Sequence, residues 1–355
     1  MAKEWMSFRL TKPVSVKEAL GEYQALWHMF EALDLRFVEK VLSGSYGRKS
    51  EVGRPHRNLV GMFKADLVKR FGRIEYYEEL YRLMSVDSEL RELCDVKEWE
   101  KPYHPSILSR FRRRIGPECL QQLVNHALEQ LDRTGMINGE TLALDAAFIK
   151  AYSRRDPHDS SRGLSYSEAR LRKQGGNVTL GYGIHLAVDT GSEMPLGVVV
   201  EPANMNEKKA GPTVLKKTIK RRRKRRVRHV VADTQYSSEA FREEVKRLHA
   251  KPVIPYPRNQ AKGKKVLRVD RRFRSHGPAK LKQLYRQRPA VERAISRLKH
   301  YFALKHLRTR GLRNALIHTL FCILAMLITA LASIIHGHTD LIRSPVSLMK
   351  LTGKL

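Results

Sequence analysis

Tyr285, Arg288, Glu292 and Lys299 sit in the segment LYRQRPAVERAISRLKHYF at offsets of three, seven and fourteen. At ~100° per residue, an α-helix places all four within roughly 60° of one another. One face then carries a phenol, a guanidinium, a carboxylate and an ammonium. A lone carboxylate among basic groups is a poor surface for stability and a reasonable one for holding a metal ion beside a phosphodiester. Pro289 qualifies the geometry, because proline is tolerated at the first helical turn and not well inside a helix. A helix beginning near Pro289 keeps Glu292 and Lys299 on one face and leaves Tyr285 and Arg288 on its entry segment.

Those side chains need a scaffold, and the preceding segments supply one. TLALDAAFI, from Thr141, is a short apolar run with Asp145 at its middle, and its first half reads as a buried strand. GYGIHLAVDT and MPLGVVVEP read as two strands around the turn Asp189-Thr190-Gly191-Ser192. A helix is expected over roughly 207–222. RHVVAD is another buried strand, ending at Asp233; FREEVKRLHA is a helix and KPVIPYP a last strand closed by prolines. The order strand, hairpin, helix, strand, helix, strand, helix predicts an α/β fold, a mixed sheet with helices on its faces. A right-handed crossover sets the Asp145 and Asp233 strands parallel and adjacent, with both carboxylates at the same end. Asp189 reads as a structural turn residue. Asp156, Asp159, Glu193 and Glu201 have no supporting context and are expected to be solvated.

The charge balance narrows the partner. The chain has 355 residues with 68 Lys+Arg against 36 Asp+Glu, a net charge of +32. Such an excess repels itself in a compact state and calls for a polyanion. The hydrophobic share of 42% supports a real core. The three cysteines (Cys94, Cys119, Cys322) are far apart and make no metal-ligand spacing, so they read as buried or incidental thiols in a reducing compartment. No secretory signal is read at the N-terminus. Residues 315–335 are uncharged and long enough to span a bilayer. Small, weakly polar or sulfur-bearing residues recur along one side (Thr319, Cys322, Met326, Ala330, Ser333), so the expectation is a core helix lying close against the sheet.

Residues 56–133 read as short helices separated by Gly or Pro. ILSRFRRRIG among them is basic and amphipathic, a candidate reading helix with Ser109, Arg110, Arg112, Arg113 and Arg114 as contacts; a packed helix with a wet basic side fits the pattern equally well. The run KRRRKRRVR at 220–228 is either a solvated helix end or a backbone contact. The polar stretch from Arg154 to Asn177 reads as a loop ordered only on nucleic acid.

The block Tyr285-x2-Arg288-x3-Glu292-x6-Lys299 matches the Tyr-Arg-Glu-Lys signature of a large group of insertion-sequence DDE transposases of bacteria and archaea. LALDAAFI resembles the segment of the first catalytic Asp, and HVVADTQYSS that of the second Asp with its nearby Tyr236. GIHLAVDTGSEMPLGVVVEPANMNEKKAGPTVL resembles that group's hairpin and following helix, and HPSILSRFRRRIGPE its helical N-terminal region.

The resemblance implies an RNase H-like catalytic domain at 136–336, with a basic insertion around 258–284. An all-α DNA-binding region at 1–135 precedes it, and a tail at 337–355 follows. It implies that Asp145, Asp233 and Glu292 are catalytic and bind two Mg²⁺ ions, with Mn²⁺ as a substitute, and that Tyr285, Arg288 and Lys299 grip phosphates. The expected partners are double-stranded DNA (terminal inverted repeats and target) and a second copy of the chain on paired ends, with no membrane, in the cytoplasm at the nucleoid. The implied activity is cleavage at the inverted repeats and joining of 3′-hydroxyl ends to target DNA. The alternatives are a repressor or architectural protein of transposase descent, and a nuclease without strand transfer.

Overall fold

The computed structural model describes residues 23–47, 56–174, 176–221, 227–257 and 279–346. Among the described residues six helices come first: α1 (Gln24–Glu31), α2 (Leu35–Tyr46), α3 (Leu59–Phe71), α4 (Tyr77–Val86), α5 (Ser88–Leu93) and α6 (Pro105–Arg133). Their starts follow side-chain capping. Asp34, Asn58 and Asp87 accept from backbone N–H groups of α2, α3 and α5, satisfying donors that have no intrahelical partner. Within α6, Gly116 at φ 69° followed by Pro117 interrupts the helix, so the two stretches expected there are two helical pieces meeting at a kink.

The strands follow: β1 (Thr141–Lys150), β2 (Arg170–Gln174), β3 (Asn177–Asp189), β4 (Pro195–Pro202), β5 (His229–Ala232) and β6 (Lys251–Val253). Interleaved or following are α7 (Glu207–Arg221), α8 (Glu239–Arg247), α9 (Ala279–Tyr285), α10 (Pro289–Tyr301) and α11 (Leu312–Ile335). β1, β3 and β4 form an antiparallel meander, and β5 and β6 extend the other edge in parallel. Taking β1, β3, β4, β5 and β6 as strands one to five gives the order 3-2-1-4-5, the RNase H-like arrangement. The parallel crossover is present: Leu144 lies opposite Ala232 at the last paired position, so Asp145 and Asp233 are each the next residue along.

Two segments depart from expectation. The stretch from Arg154 to Asn177 carries β2, which pairs antiparallel with the first part of β3, and short bridges join Arg155 to Gly163 and Arg162 to Arg170. Inside it Asp156, expected in solvent, is buried and accepts from Arg162 Nε at 3.0 Å and from the His158 N–H at 2.9 Å.

The second correction concerns the apolar segment. α11 is long and apolar enough to cross a membrane, yet it is almost wholly buried. Its main neighbour is α6, with α1, α3 and β4 also against it, so it closes the core of the first helices more than it lies on the sheet. One hydrophobic cluster runs without a break from Tyr23 to Ile342.

Beneath α11 that core encloses charge. Tyr77 donates to Asp66 Oδ1 at 2.8 Å, Arg70 lies 3.5 Å from the same oxygen, and Lys69 donates to the carbonyls of Ile74 and Glu75 at 2.6 and 2.7 Å. Burial pushes the Lys69 ammonium well below its usual pKa, with Arg70 and Arg112 adding to the fall.

Candidate active site

Three elements bring the acids together. Asp145 sits mid-strand on β1, where its Oδ1 accepts from the Ala146 N–H at 2.8 Å. Asp233 follows β5 and caps the short turn Thr234–Tyr236, its Oδ1 accepting from the Gln235 N–H at 2.9 Å. Glu292 lies in the first turn of α10, a position that the helix dipole favours for an anion. Pro289 is the first residue of α10 and Arg288 its cap, so Tyr285 closes α9 and Arg288 stands in the connection. The single helical face therefore holds for Glu292 and Lys299, as the proline requires.

Arg288 spans the gap between the acids. It donates from Nη1 to Glu292 Oε1 at 2.6 Å and from Nη2 to Asp145 Oδ2 at 3.3 Å. Burial works against its charge, and Asp145 and Glu292 outweigh that and raise its pKa. Arg288 does not hold Asp145 down. Asp145 is pushed up to about 6, first by burial; Arg288 and the Ala146 N–H oppose the shift, and the charges of Asp233 and Glu292 add to it.

The other signature residues sense the same field. Burial lowers Lys299, with Asp145 opposing and Arg172 adding. Burial raises Tyr285, with Arg288 opposing and Asp233, Glu292 and Asp145 adding. The Tyr285 side chain packs partly buried beside Val231 and Val253.

A fourth carboxylate borders this group. Glu207, the first residue of α7, is buried, and its Oε1 accepts from Arg172 of β2 at 3.1 Å. Burial raises its pKa, Asp233 adds to the rise, Arg172 opposes it and Asp145 adds further. Beside it Tyr236 is fully buried, its hydroxyl 3.1 Å from His185 Nδ1. Burial and Arg172 push His185 down to about 4, so the ring is neutral at ordinary pH. The sequence reading missed Glu207, Arg172 and His185 as neighbours of the acids. Its available signal was an acid at a helix start shortly after a strand, which is too common to single out a site.

The donor set suits a hard divalent cation. Asp145, Asp233 and Glu292 offer carboxylate oxygens, the ligand type that Mg²⁺ and Mn²⁺ take. Burial keeps the Asp145 carboxyl raised in spite of Arg288, and a cation at its oxygens would favour the ionised form.

The candidate contacts of the first helices divide. Ser109, Arg110, Arg113 and Arg114 are exposed on α6, and Arg114 lies over the Tyr46 ring at 4.8 Å. Arg112 is buried at 5% exposure, its guanidinium 5.9 Å from the Tyr77 ring, because it is on the side of α6 that meets Tyr77 and Asp66. It is a core residue, unlike its three neighbours. Asp189 is structural: its carboxylate accepts from the N–H groups of Gly139 and Ser192 and from the Ser192 hydroxyl. Glu193 is not solvated. It is buried at 2% exposure and accepts from Arg293 at 2.8 Å and Arg297 at 2.7 Å. Most of the basic run 220–228 and of the insertion 258–284 lies outside the described residues; in the former, Arg228 pairs with Glu140 at 3.3 Å.

A carboxylate cleft on an RNase H-like sheet defines the class of site, and comparison with known proteins gives the family. Residues 137–328 match the family model described as "Transposase DDE domain", and residues 14–114 match "Transposase domain (DUF772)". The first match covers more than half of the chain, and the chain belongs to the DDE-domain transposase family. No curated protein matches it. Among solved structures, the cryo-EM structure of the piggyBac transposase synaptic complex with hairpin DNA is similar over 99% of this chain and 83% of that one, at 11% identity and a TM-score of 0.46.

Proposed function

We propose that this transposase belongs to a prokaryotic insertion sequence of the Tyr-Arg-Glu-Lys group. It cleaves at the terminal inverted repeats and joins the 3′-hydroxyl ends to target DNA by two-metal in-line phosphoryl transfer. The observation that carries the reading is the grouping of Asp145, Asp233 and Glu292: Arg288 bridges Asp145 and Glu292, and the charges of Asp233 and Glu292 both act on Asp145.

Asp145, Asp233 and Glu292 would hold two Mg²⁺ ions, with Mn²⁺ as a substitute. Divalent cations bound there supply charge neutralisation at the phosphate and activation of the attacking oxygen. The protein's own groups do the rest. Arg288 suits bidentate contact with a phosphate, and turning to DNA releases the Asp145 and Glu292 oxygens it bridges. Lys299 enters the same cleft as a point charge, and Tyr285 borders it. The exposed Arg110, Arg113 and Arg114 offer a basic surface on α6 for the inverted repeats, acting through backbone phosphates. Cleavage and joining at paired ends call for two copies on DNA, in the cytoplasm at the nucleoid.

The test is purified protein on labelled DNA from its own gene's flanks, with Mg²⁺ or EDTA, beside Glu292→Gln and Asp233→Ala. Expected is metal-dependent nicking at a defined terminus that falls more than ~100-fold in both variants, beyond the loss of an outer-shell partner, while binding in EDTA persists. Undiminished cleavage in the variants removes these acids from the chemistry. Binding by the wild type without metal-dependent cleavage overturns the enzymatic reading.

A further inference from the structure

A layer of polar side chains lies behind the acids and ties the basic strand β2 to the turn that carries Asp233. Glu207 is its centre. Both of its oxygens are engaged: Oε1 accepts from Arg172 Nη2 at 3.1 Å, and the Gln235 amide, assigned with its nitrogen towards the carboxylate, donates to Oε2 at 2.5 Å and Oε1 at 3.0 Å. The amide orientation follows from the hydrogen bonds, since the reverse would set the Gln235 carbonyl oxygen against the carboxylate. The backbone N–H of Gln235 in turn donates to Asp233 Oδ1. One residue therefore holds Glu207 with its side chain and Asp233 with its main chain. Tyr236, next along, is pinned through His185 and lies close against α7, where a Cβ at Gly211 would come within 3.0 Å of its ring.

We infer that Arg172, Glu207 and Gln235 form a positioning relay that fixes the Asp233 carboxylate, with Glu207 as a positioning residue and not a metal ligand. Three points argue for it. A buried carboxylate is costly unless paired and hydrogen-bonded, and Glu207 is buried where a helix-start acid could have stayed in water. Its donors fill both oxygens, whereas Arg288, the side-chain donor to Asp145 and Glu292, bridges the two and can leave them both at once. Partners that orient a metal ligand are what a metal centre requires behind its ligands. Arg172 also places the relay's far end on β2 beside Arg170 and Lys173, so the basic hairpin and the catalytic turn share one rigid link. The catalytic purpose of the relay rests on the function proposed above; its geometry does not.

The experiment compares full-length wild type with Glu207→Ala, Glu207→Gln and Gln235→Ala. It reads hydrogen exchange at the Gln235 backbone amide, Mn²⁺ affinity by electron paramagnetic resonance, terminus binding in EDTA and Mg²⁺-dependent cleavage. In Glu207→Ala the Gln235 amide exchanges about tenfold faster and Mn²⁺ binds about tenfold more weakly, the lower range for loss of an outer-shell partner. Glu207→Gln recovers part of both, because its amide oxygen still accepts from Gln235. Gln235→Ala matches Glu207→Ala in Mn²⁺ affinity, and all variants bind the terminus in EDTA as the wild type does. Unchanged exchange at Gln235 overturns the relay whatever cleavage shows. Weaker Mn²⁺ binding in Glu207→Ala with normal binding in Gln235→Ala also overturns it, by making Glu207 a ligand. A wild type that does not cleave overturns the transposase reading instead.

Discussion

Helix α10 borders two carboxylate–arginine clusters that differ in how the acids are held. On one side Arg293 and Arg297 close over the single acid Glu193, with Arg343 3.8 Å away. Burial alone would raise Glu193, but its bonds to Arg293 and Arg297 outweigh burial and hold it below its usual range. On the other side Arg288 bridges Asp145 and Glu292, Glu207 nearby has its own partner in Arg172, and burial drives Asp145 up against the pull of Arg288. An acid surrounded by guanidiniums has its charge answered and is structural. Carboxylates that come from separate elements and share a bridging side chain are an arrangement that a divalent cation can enter.

The strongest way to break the contrast is Glu193→Gln. It leaves guanidiniums without their anion, and losing one partner of a buried ion pair costs about 3–5 kcal/mol. Denaturant unfolding should show that loss while Mn²⁺ affinity stays at the wild-type value. A changed affinity would mean that the two clusters act as one.

A smaller effect of opposite sign is expected from Asp145→Asn. The Asp145 carboxyl keeps its proton up to about 6 when folded, against 3.8 ordinarily. The native state thus binds more protons than the unfolded chain in that window, and stability falls as pH rises through it. Asparagine does not ionise, so in EDTA at pH 8 the variant should be more stable by about 1–3 kcal/mol, with the gain fading towards pH 4. A gain that is constant with pH would assign the effect to packing.

The smallest change is at Lys299. Lys299→Ala should weaken terminus binding and reduce the log–log salt slope by about one. An unchanged slope removes Lys299 from the phosphate contacts.

The elements that carry the acids were legible because their physics is local. The runs at Thr141, Gly181, Met194 and Arg228 are apolar enough to announce buried strands, and Pro289 fixed where α10 begins. β2 was not legible. RLRKQ carries three basic residues in five and reads as solvated chain, and it becomes a strand only because β3 is long enough to pair with it. Arg112 was misplaced because a helix with four arginines in five residues does not declare which one faces inward; Asp66 and Tyr77, far back in the chain, decide that. Glu193 depends on partners about a hundred residues away and sits at φ 61°, in a turn whose inward direction no local pattern encodes. Glu207 was invisible for the same reason: its neighbours arrive from β2 and from the turn after β5.

The position of α11 has a consequence for biosynthesis. The first helices bury their apolar faces against a segment made nearly two hundred residues after α6. During translation these helices wait with an open hydrophobic groove until residues 312–335 leave the ribosome. Long-range closure of this kind is slow and leaves sticky surface uncovered in the meantime. A nascent chain stalled before residue 312 therefore presents that groove to chaperones and proteases, and folded protein accumulates only from polypeptides that have been read through α11.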